Sequence, residues 1–152
     1  MNKIVKNFGS YFNDFQVGNT IIHSRTKTIL ESDNNIFSLI TMNHHPVHLD
    51  VEYCKKEQHG KILVVGTLVF SLAVGLTVDD ISGKAIANLG YENITHDAPV
   101  FLNDTINVET TILDKRESQS KNNRGIVTVK TNVFNQNDIK VMSFKRKVLV
   151  KK

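Results

Sequence analysis

The chain has 152 residues, the size of one ordinary domain, and carries 19 Lys and Arg against 15 Asp and Glu, a net charge of +4. A chain of this length buries roughly two thirds of the surface that its unfolded form exposes, so a well-formed core is expected. The charge is compatible with phosphates on a small ligand and too diffuse to predict nucleic-acid binding. Because Cys54 is the only cysteine, an intramolecular disulfide and a four-cysteine zinc site are excluded.

The amino-terminal stretch MNKIVKNFGSYFNDF lacks the apolar segment and cleavage site of a secretory signal. A single cysteine also favours a reducing compartment, so we expect a cytoplasmic protein whose N-x-T sequons at Asn93 and Asn103 stay unglycosylated. No internal repeat and no linker rich in Pro, Gly or Ser interrupts the chain. The simplest prediction is one domain over residues 1–152.

The first predicted elements surround a histidine-rich loop. Residues 20–29, TIIHSRTKTI, are largely β-branched and predict a strand. A short helix is expected next, with Ser32 as its N-cap and Ile36, Phe37 and Ile40 at helical spacing. Residues 44–46 then form a loop, because the residue before a proline is pushed away from helical angles. Asp50 is expected to cap a second short helix through residues 53 and 54.

Residues 62–78, ILVVGTLVFSLAVGLTV, carry no charge over a length that approaches a membrane span. Gly66 stands where a strand-like run would become a helix, which leaves about twelve helical residues, too few to cross a bilayer. We therefore expect a buried helix and no membrane insertion. The following segments 85–94, 105–118, 125–136 and 139–150 predict strands, with a turn at 135–138. This order predicts an α+β domain in which an antiparallel sheet curls around the helix, the hot-dog architecture.

The stretch TMNHHPVHLD, residues 41–50, offers three interpretations. A metal site is disfavoured because adjacent histidines diverge and Pro46 breaks the helix that would align His44 with His48. Nucleophilic catalysis is disfavoured because Cys54 has no glycine-rich elbow and Ser71 no adjacent base. Acid–base catalysis by one histidine remains, against the plainer interpretation of a hydrogen-bonded polar loop.

Gly66 favours the catalytic interpretation. A glycine at the start of a buried helix lets a ligand approach unpaired amides and the positive end of the helix dipole, which suits a thioester oxygen that gains charge. Ser71, polar among apolar neighbours, needs a partner that the loop from Asn43 to His48 could supply. In the alternative, Gly66 is only a turn and Ser71 bonds its own preceding helical turn.

Three motifs in order, YFNDFQVG at 11–18, N-x-H-P-V-H-L-D at 43–50 and VGTLVFS at 65–71, resemble the MaoC-like dehydratases, which include the (R)-specific enoyl-CoA hydratases. The later stretches ANLGYEN, APVFLNDTINVETTILDKRESQS and GIVTVKTNVFNQ further resemble the branch of mesaconyl-CoA hydratase, or β-methylmalyl-CoA dehydratase. This resemblance implies reversible hydration of the double bond of an enoyl-CoA thioester, without metal or redox cofactor.

The resemblance also implies site residues. His48 matches the family histidine that moves the proton, Gly66 the glycine whose amide binds the thioester oxygen, and Ser71 the serine that bonds the acidic residue of the dyad. The family aspartate falls on Asn43, whose amide can orient a water and cannot take its proton. His48 would then act as the general acid and base, with Asn43 and His45 positioning water. A non-catalytic acyl-CoA-binding protein and a hot-dog thioesterase remain alternatives.

The resemblance implies a homodimer or higher homo-oligomer, since hot-dog sheets pair edge to edge and exposed edges need cover. Basic residues of the later strands are expected to meet coenzyme A phosphates or simply to lie in solvent: Lys115, Arg116, Lys121 and Arg124. The terminal KRKVLVKK looks like a nucleic-acid patch. Its apolar interior instead predicts a last strand with a charged tail, so no nucleic-acid partner is expected.

Overall fold

The structure, a computed structural model, describes residues 8–152; the first seven residues of the predicted domain lie outside that range. Its main elements are one antiparallel sheet and three helices, in agreement with the predicted α+β class. In chain order they are β1 (Thr20–Ile22), β2 (Lys27–Thr28), α1 (Glu31–Ile40), α2 (Val51–Cys54), α3 (Gly66–Leu76), β3 (Ala85–His96), β4 (Thr105–Glu117), β5 (Arg124–Phe134) and β6 (Lys140–Lys151).

The sheet has the order β1-β4-β5-β6-β3, and β2 also pairs with β4. The four long strands, β3 to β6, agree with the predicted segments to within two residues at each end. Their pairings are all antiparallel. The turn between β5 and β6 is held by Asn135, whose side-chain oxygen accepts from the amides of Asn137 and Ile139. This turn confirms the predicted hairpin at residues 135–138.

The prediction of one strand over residues 20–29 is wrong, because the structure divides that segment into β1 and β2. Two side chains between β1 and β2 pair with carboxylates from another part of the chain. His23 is buried, with Nδ1 2.6 Å from a carboxylate oxygen of Asp80. Arg25 pairs with Asp79 at 3.0 Å. Both carboxylates follow α3, so this interruption ties the first strands to the end of the central helix.

Helix α1 differs from the prediction in its start and in its buried side. It begins at Glu31, one residue before the predicted cap Ser32, and the carboxylate of Asp33 accepts from the backbone N–H of Leu30 at 2.9 Å. The helix buries Asn34 and Ser38. Of the apolar residues at helical spacing, Phe37 packs against the core, whereas Ile36 and Ile40 are 58% and 73% exposed. The spacing therefore predicted the helix correctly, although polar Asn34 and Ser38 occupy much of its buried side.

Helix α3 lies against the sheet, and its eleven residues match the predicted short central helix. Leu68, Val69 and Ala73 are buried, whereas Thr67, Ser71 and Gly75 form an exposed stripe at four-residue spacing. The helix is thus covered on one side in the single chain. No helix within residues 8–152 combines the length and the hydrophobicity needed to cross a bilayer.

The core consists of two apolar clusters. The first contains Leu68 and Val69 of α3 together with Met142 and Phe144 of β6. The second contains Phe12 and Phe15 near the amino terminus and the far ends of β4, β5 and β6. Buried polar groups lie between them, including a hydrogen-bonded chain from His23 through Thr110 to Thr131 with donor–acceptor distances of 2.9 Å. The sheet therefore carries a polar layer across its middle.

Candidate active site

The histidine-rich loop connects α1 and α2, as predicted. Its last part is a short 3-10 turn, Pro46–His48. The carboxylate of Asp50 accepts from the backbone N–H of Tyr53 at 2.9 Å, which confirms Asp50 as the cap of α2. His44 is exposed. Among the described residues, no three His, Cys, Asp or Glu side chains gather in a way that could hold a metal ion.

The side chain of His48 is partly buried and held by one directed hydrogen bond. Its Nδ1 lies 2.9 Å from the backbone oxygen of Leu63. A carbonyl oxygen only accepts, so Nδ1 must carry the proton in this bond. In the neutral ring, Nε2 then holds the available lone pair, which is the arrangement that a general base requires.

His45 is bonded in the opposite sense. Its Nδ1 accepts a hydrogen bond from the backbone N–H of Val47 at 3.1 Å, so a neutral His45 carries its proton on Nε2. The His45 and His48 rings lie 6.2 Å apart between centroids. One ring therefore presents a donor and its neighbour a base, although both belong to the same loop.

Asn43 shapes the start of this loop. Its side-chain oxygen accepts from the backbone N–H of His45 at 3.4 Å, and its own backbone N–H donates to the carbonyl of Ser38 at 3.0 Å. The side-chain NH₂ of Asn43 donates to no group within residues 8–152 and stays available as a donor. An amide at this position can thus support the turn and orient a water through the same side chain.

Cys54 is fully buried, and its thiol lies 3.2 Å from the carbonyl oxygen of Val47. Burial raises the pKa of the Cys54 thiol, and the nearby carboxylates of Asp50 and Glu57 add to the effect. A buried, protonated thiol is a poor nucleophile. Its place below the loop supports the structural role favoured by the sequence.

The amino-terminal end of α3 has free backbone donors. The helix starts at Gly66, and no side chain within residues 8–152 caps this end. The first turn closes with the N–H of Leu68 bonded to the oxygen of Val65 at 3.0 Å, so the amides of Gly66 and Thr67 have no partner inside the helix. A Cβ at position 66 would lie 2.5 Å from Cε1 of His96. Glycine is therefore what allows the His96 ring to lie against this helix end.

A cavity of about 340 Å³ opens beside Gly66. Val69, Val141 and Met142 supply apolar lining, and the imidazoles of His59 and His96 add polar groups. Leu63, whose carbonyl holds His48, also lines this space. Gly66 lines the cavity, whereas Asn43, His45 and His48 do not; His48 is connected to it through the hydrogen bond to Leu63.

Ser71 and the basic residues lie elsewhere. Ser71 is exposed and donates to the carbonyl of Thr67 at 2.9 Å, so its hydroxyl is used within the helix and not by the loop. Five residues at about 100° each also turn Ser71 away from Gly66. The amine of Lys115 donates to the carbonyl of Phe15 at 2.7 Å. With Arg116, Lys121 and Arg124, it lies at the β4–β5 turn, at the opposite end of the sheet from His96.

Two parts of this arrangement were missed from the sequence. His59 and His96 are far apart in the sequence, and the cavity brings them together by joining a loop to the end of β3 across the fold. Asn34 was overlooked although it is fully buried and bonds both His48 and Val65. The sequence offers one signal for it: Asn34 and Ser38 are polar and four residues apart, so they lie on the same face of α1. That face is buried in the structure.

A family model for the MaoC-like domain matches residues 14–134. The chain belongs to the MaoC-like domain family. It is 32% identical to mesaconyl-CoA hydratase of Cereibacter sphaeroides over 96% of this chain and 42% of that protein. It is 31% identical to β-methylmalyl-CoA dehydratase of Chloroflexus aurantiacus over 96% of this chain and 41% of that protein. This MaoC-like chain therefore spans less than half the length of these two relatives.

The fold comparison agrees. A conserved hypothetical protein from Mycobacterium tuberculosis with a double hot-dog fold superimposes with a TM-score of 0.85 at 21% identity. The match covers 94% of this MaoC-like chain and 44% of the mycobacterial one. The predicted hot-dog fold is thereby confirmed.

Proposed function

We propose that this MaoC-like protein catalyses the reversible hydration and dehydration of an enoyl-CoA thioester. The observation that carries the proposal is the hydrogen bond from His48 Nδ1 to Leu63, because it leaves the Nε2 lone pair of a neutral ring for proton transfer. The free amides at the start of α3 supply the second requirement, donors for a developing oxyanion.

In the hydration direction, Nε2 of His48 takes a proton from water as the water oxygen bonds to the β-carbon. The electron pair of the carbon–carbon double bond moves toward the thioester oxygen, where the Gly66 N–H stabilises the enolate. The proton on Nε2 then returns to the α-carbon as the thioester carbonyl re-forms. Dehydration is the reverse. Asn43 and the Nε2–H of His45 orient the water, and no metal or redox cofactor takes part.

The cavity beside Gly66 favours a short acyl group. Its volume of about 340 Å³ and its apolar lining suit a small branched chain. The imidazoles of His59 and His96 offer hydrogen-bond donors to a second carboxylate, and the carboxylate of Asp97, which also lines the cavity, is paired with Lys140 at 3.6 Å. The curated relatives are named for mesaconyl-CoA and β-methylmalyl-CoA, thioesters of short branched dicarboxylic acids. We therefore propose a substrate of this kind.

The test is turnover of crotonyl-CoA and mesaconyl-CoA by the wild-type protein and by two His48 variants, followed by loss of the enoyl absorbance. His48→Asn keeps a side-chain N–H that can reach Leu63, whereas His48→Ala does not. Both variants should lose about a hundredfold or more of the rate, because neither has a base. Wild-type-like turnover in folded His48→Asn would remove His48 from the mechanism.

A non-catalytic acyl-CoA-binding protein is the second candidate, because Asn43 has an amide where the family resemblance implies an acid. Calorimetry would then detect binding of acyl-CoA thioesters. The enoyl-CoA and 3-hydroxyacyl-CoA panel would show no absorbance change with the same wild-type preparation. Measurable hydration above the uncatalysed rate eliminates this candidate.

We further propose that two chains associate through β3. This twelve-residue strand pairs only with β6 among the described strands, and its residues are mostly exposed. Unpaired strand edges of this length attract a second strand, and Ile86, Leu89 and Ile94 are apolar and exposed there. Sedimentation should show a homodimer for the wild type and a monomer for Leu89→Lys. A wild-type monomer would contradict this assembly.

A further inference from the structure

Asn34 is a buried polar residue that connects two parts of the proposed site. It lies in α1, with none of its surface exposed. Its side-chain NH₂ donates to the backbone oxygen of His48, and its side-chain oxygen accepts from the backbone N–H of Val65, both at 2.9 Å. Val65 immediately precedes Gly66. One side chain thus bonds the backbone of His48, the proposed base, and the backbone of Val65, the residue just before α3.

We infer that Asn34 is a positioning residue that sets the placement of His48 relative to the free amides of Gly66 and Thr67. This inference rests on the proposed function, which requires both groups at one thioester. A displacement of about 1 Å between reacting groups is enough to cost on the order of a hundredfold in rate. Asn34 contacts no reacting atom in the proposal, so its effect passes through the loop and the helix end.

Other bonds between the same two segments support this role. His48 Nδ1 bonds the carbonyl of Leu63 at 2.9 Å, and the N–H of Leu63 donates to the carbonyl of Val47 at 3.1 Å. Both join the loop to Leu63, three residues before Gly66. Asn34 adds the contact nearest to the helix start, and among residues 8–152 it is the one side chain that bonds both segments from a third element, α1.

The chemistry at position 34 needs a donor and an acceptor on one planar group. An amide supplies both at every pH, whereas an ionised carboxylate can accept from Val65 but cannot donate to His48. A protonated carboxyl regains the donor. Burial raises the pKa of a carboxyl, so an aspartate here would be neutral in acid and charged at higher pH.

Asn34→Asp therefore gives a specific test. The kcat of this variant should approach the wild-type value at the acid end of the activity range. It should then fall by about tenfold or more relative to wild type as pH rises and the introduced carboxyl ionises. KM should change much less, because Asn34 does not line the cavity that is proposed to hold the substrate. A ratio of variant to wild-type kcat that stays constant with pH would overturn the inference.

Ser38→Ala is the matched control. Ser38 lies one turn later in α1, is equally buried, and its hydroxyl has no hydrogen-bond partner within the described residues. The control should match the wild type in kcat, KM and pH profile. An equal loss in Ser38→Ala and Asn34→Asp would show that α1 responds to any buried change, and would also overturn the inference.

A second measurement separates this inference from the proposed function. In Asn34→Leu, which removes both bonds, nitrogen NMR should show that His48 no longer holds its proton on Nδ1 as a single form, while Ser38→Ala keeps the wild-type signal. An unchanged His48 signal in folded Asn34→Leu would exclude positioning through the loop. If the wild type hydrates no enoyl-CoA, the proposed function fails, and the His48 signal still decides the role of Asn34.

Discussion

The Nδ1–H of His48 donates to the backbone oxygen of Leu63, three residues before α3 begins. We predict that nitrogen NMR will show the neutral ring of His48 protonated on Nδ1. His48→Ala should lower the free energy of unfolding, measured with urea, by about 1 kcal/mol, because the carbonyl of Leu63 loses its hydrogen-bond donor. His48→Asn should lose less of this free energy, since its side-chain amide can replace the imidazole N–H as the donor. A neutral ring protonated on Nε2 would contradict this hydrogen bond.

Asn43→Asp tests whether the site works with an amide. The aspartate can still accept from the N–H of His45, so the loop should fold, but it loses the NH₂ that is proposed to orient water. We expect kcat to fall by about tenfold, with little change in KM. Asn43→Ala, which lacks both the side-chain oxygen and the NH₂, is the companion variant, and its kcat should fall further. A rise in turnover for Asn43→Asp would instead indicate a site that has lost its acid.

Gly66→Ala should disturb the start of α3, because the new methyl would lie 2.5 Å from the His96 ring. We expect lower kcat/KM and a lower melting temperature. Adding His96→Ala should restore part of the stability by removing the atom that collides.

The control for this change is Gly75→Ala in the same helix. Nothing lies within 4 Å of a Cβ at position 75, so alanine should stabilise the helix by about 0.5–1 kcal/mol. Equal destabilisation by both alanines, or no effect of Gly66→Ala on melting and kcat/KM, would contradict the close contact with His96.

Asp33 should contribute stability that depends on pH. Its hydrogen bond to Lys27, with the N–H of Leu30 and the charge of Lys27 adding to it, lowers the pKa of the carboxyl from its ordinary 3.8. A lowered pKa in the folded state means that the contribution is present above the ordinary value and lost as pH falls below it. Asp33→Asn should therefore cost about 0.5–1 kcal/mol at pH 7 in urea unfolding, and nearly nothing near pH 2. An equal cost at both pH values would mean that charge plays no part.

The long strands could be predicted because their β-branched residues and the turn at Asn135 act locally. The short central helix was likewise predictable, since Gly66 and the apolar run after it limit its length. The loop was placed correctly because Pro46 and Asp50 have strong local preferences. Each of these features is determined by a few residues that are neighbours in the sequence.

Features set by distant contacts could not be predicted. The break between β1 and β2 depends on Asp79 and Asp80, more than fifty residues later in the chain. The burial of Asn34 in α1 could not be predicted, because it depends on hydrogen bonds to His48 and Val65, which lie in other parts of the chain. The resemblance predicted that Ser71 bonds the loop, but Ser71 lies on the exposed side of α3, and within the described part of the chain its hydroxyl bonds only the carbonyl of Thr67.

The polar layer between the two apolar clusters has a practical consequence for engineering. The proposed site draws only on the first cluster, through Val69, Met142 and the segment entering α3. The second cluster, with Phe12, Phe15 and the far strand ends, meets no part of the cavity. Substitutions in this second cluster should therefore change the melting temperature while the geometry of the proposed site stays the same. The stability of the protein can thus be altered at one end of the sheet independently of the residues that line the cavity at the other end.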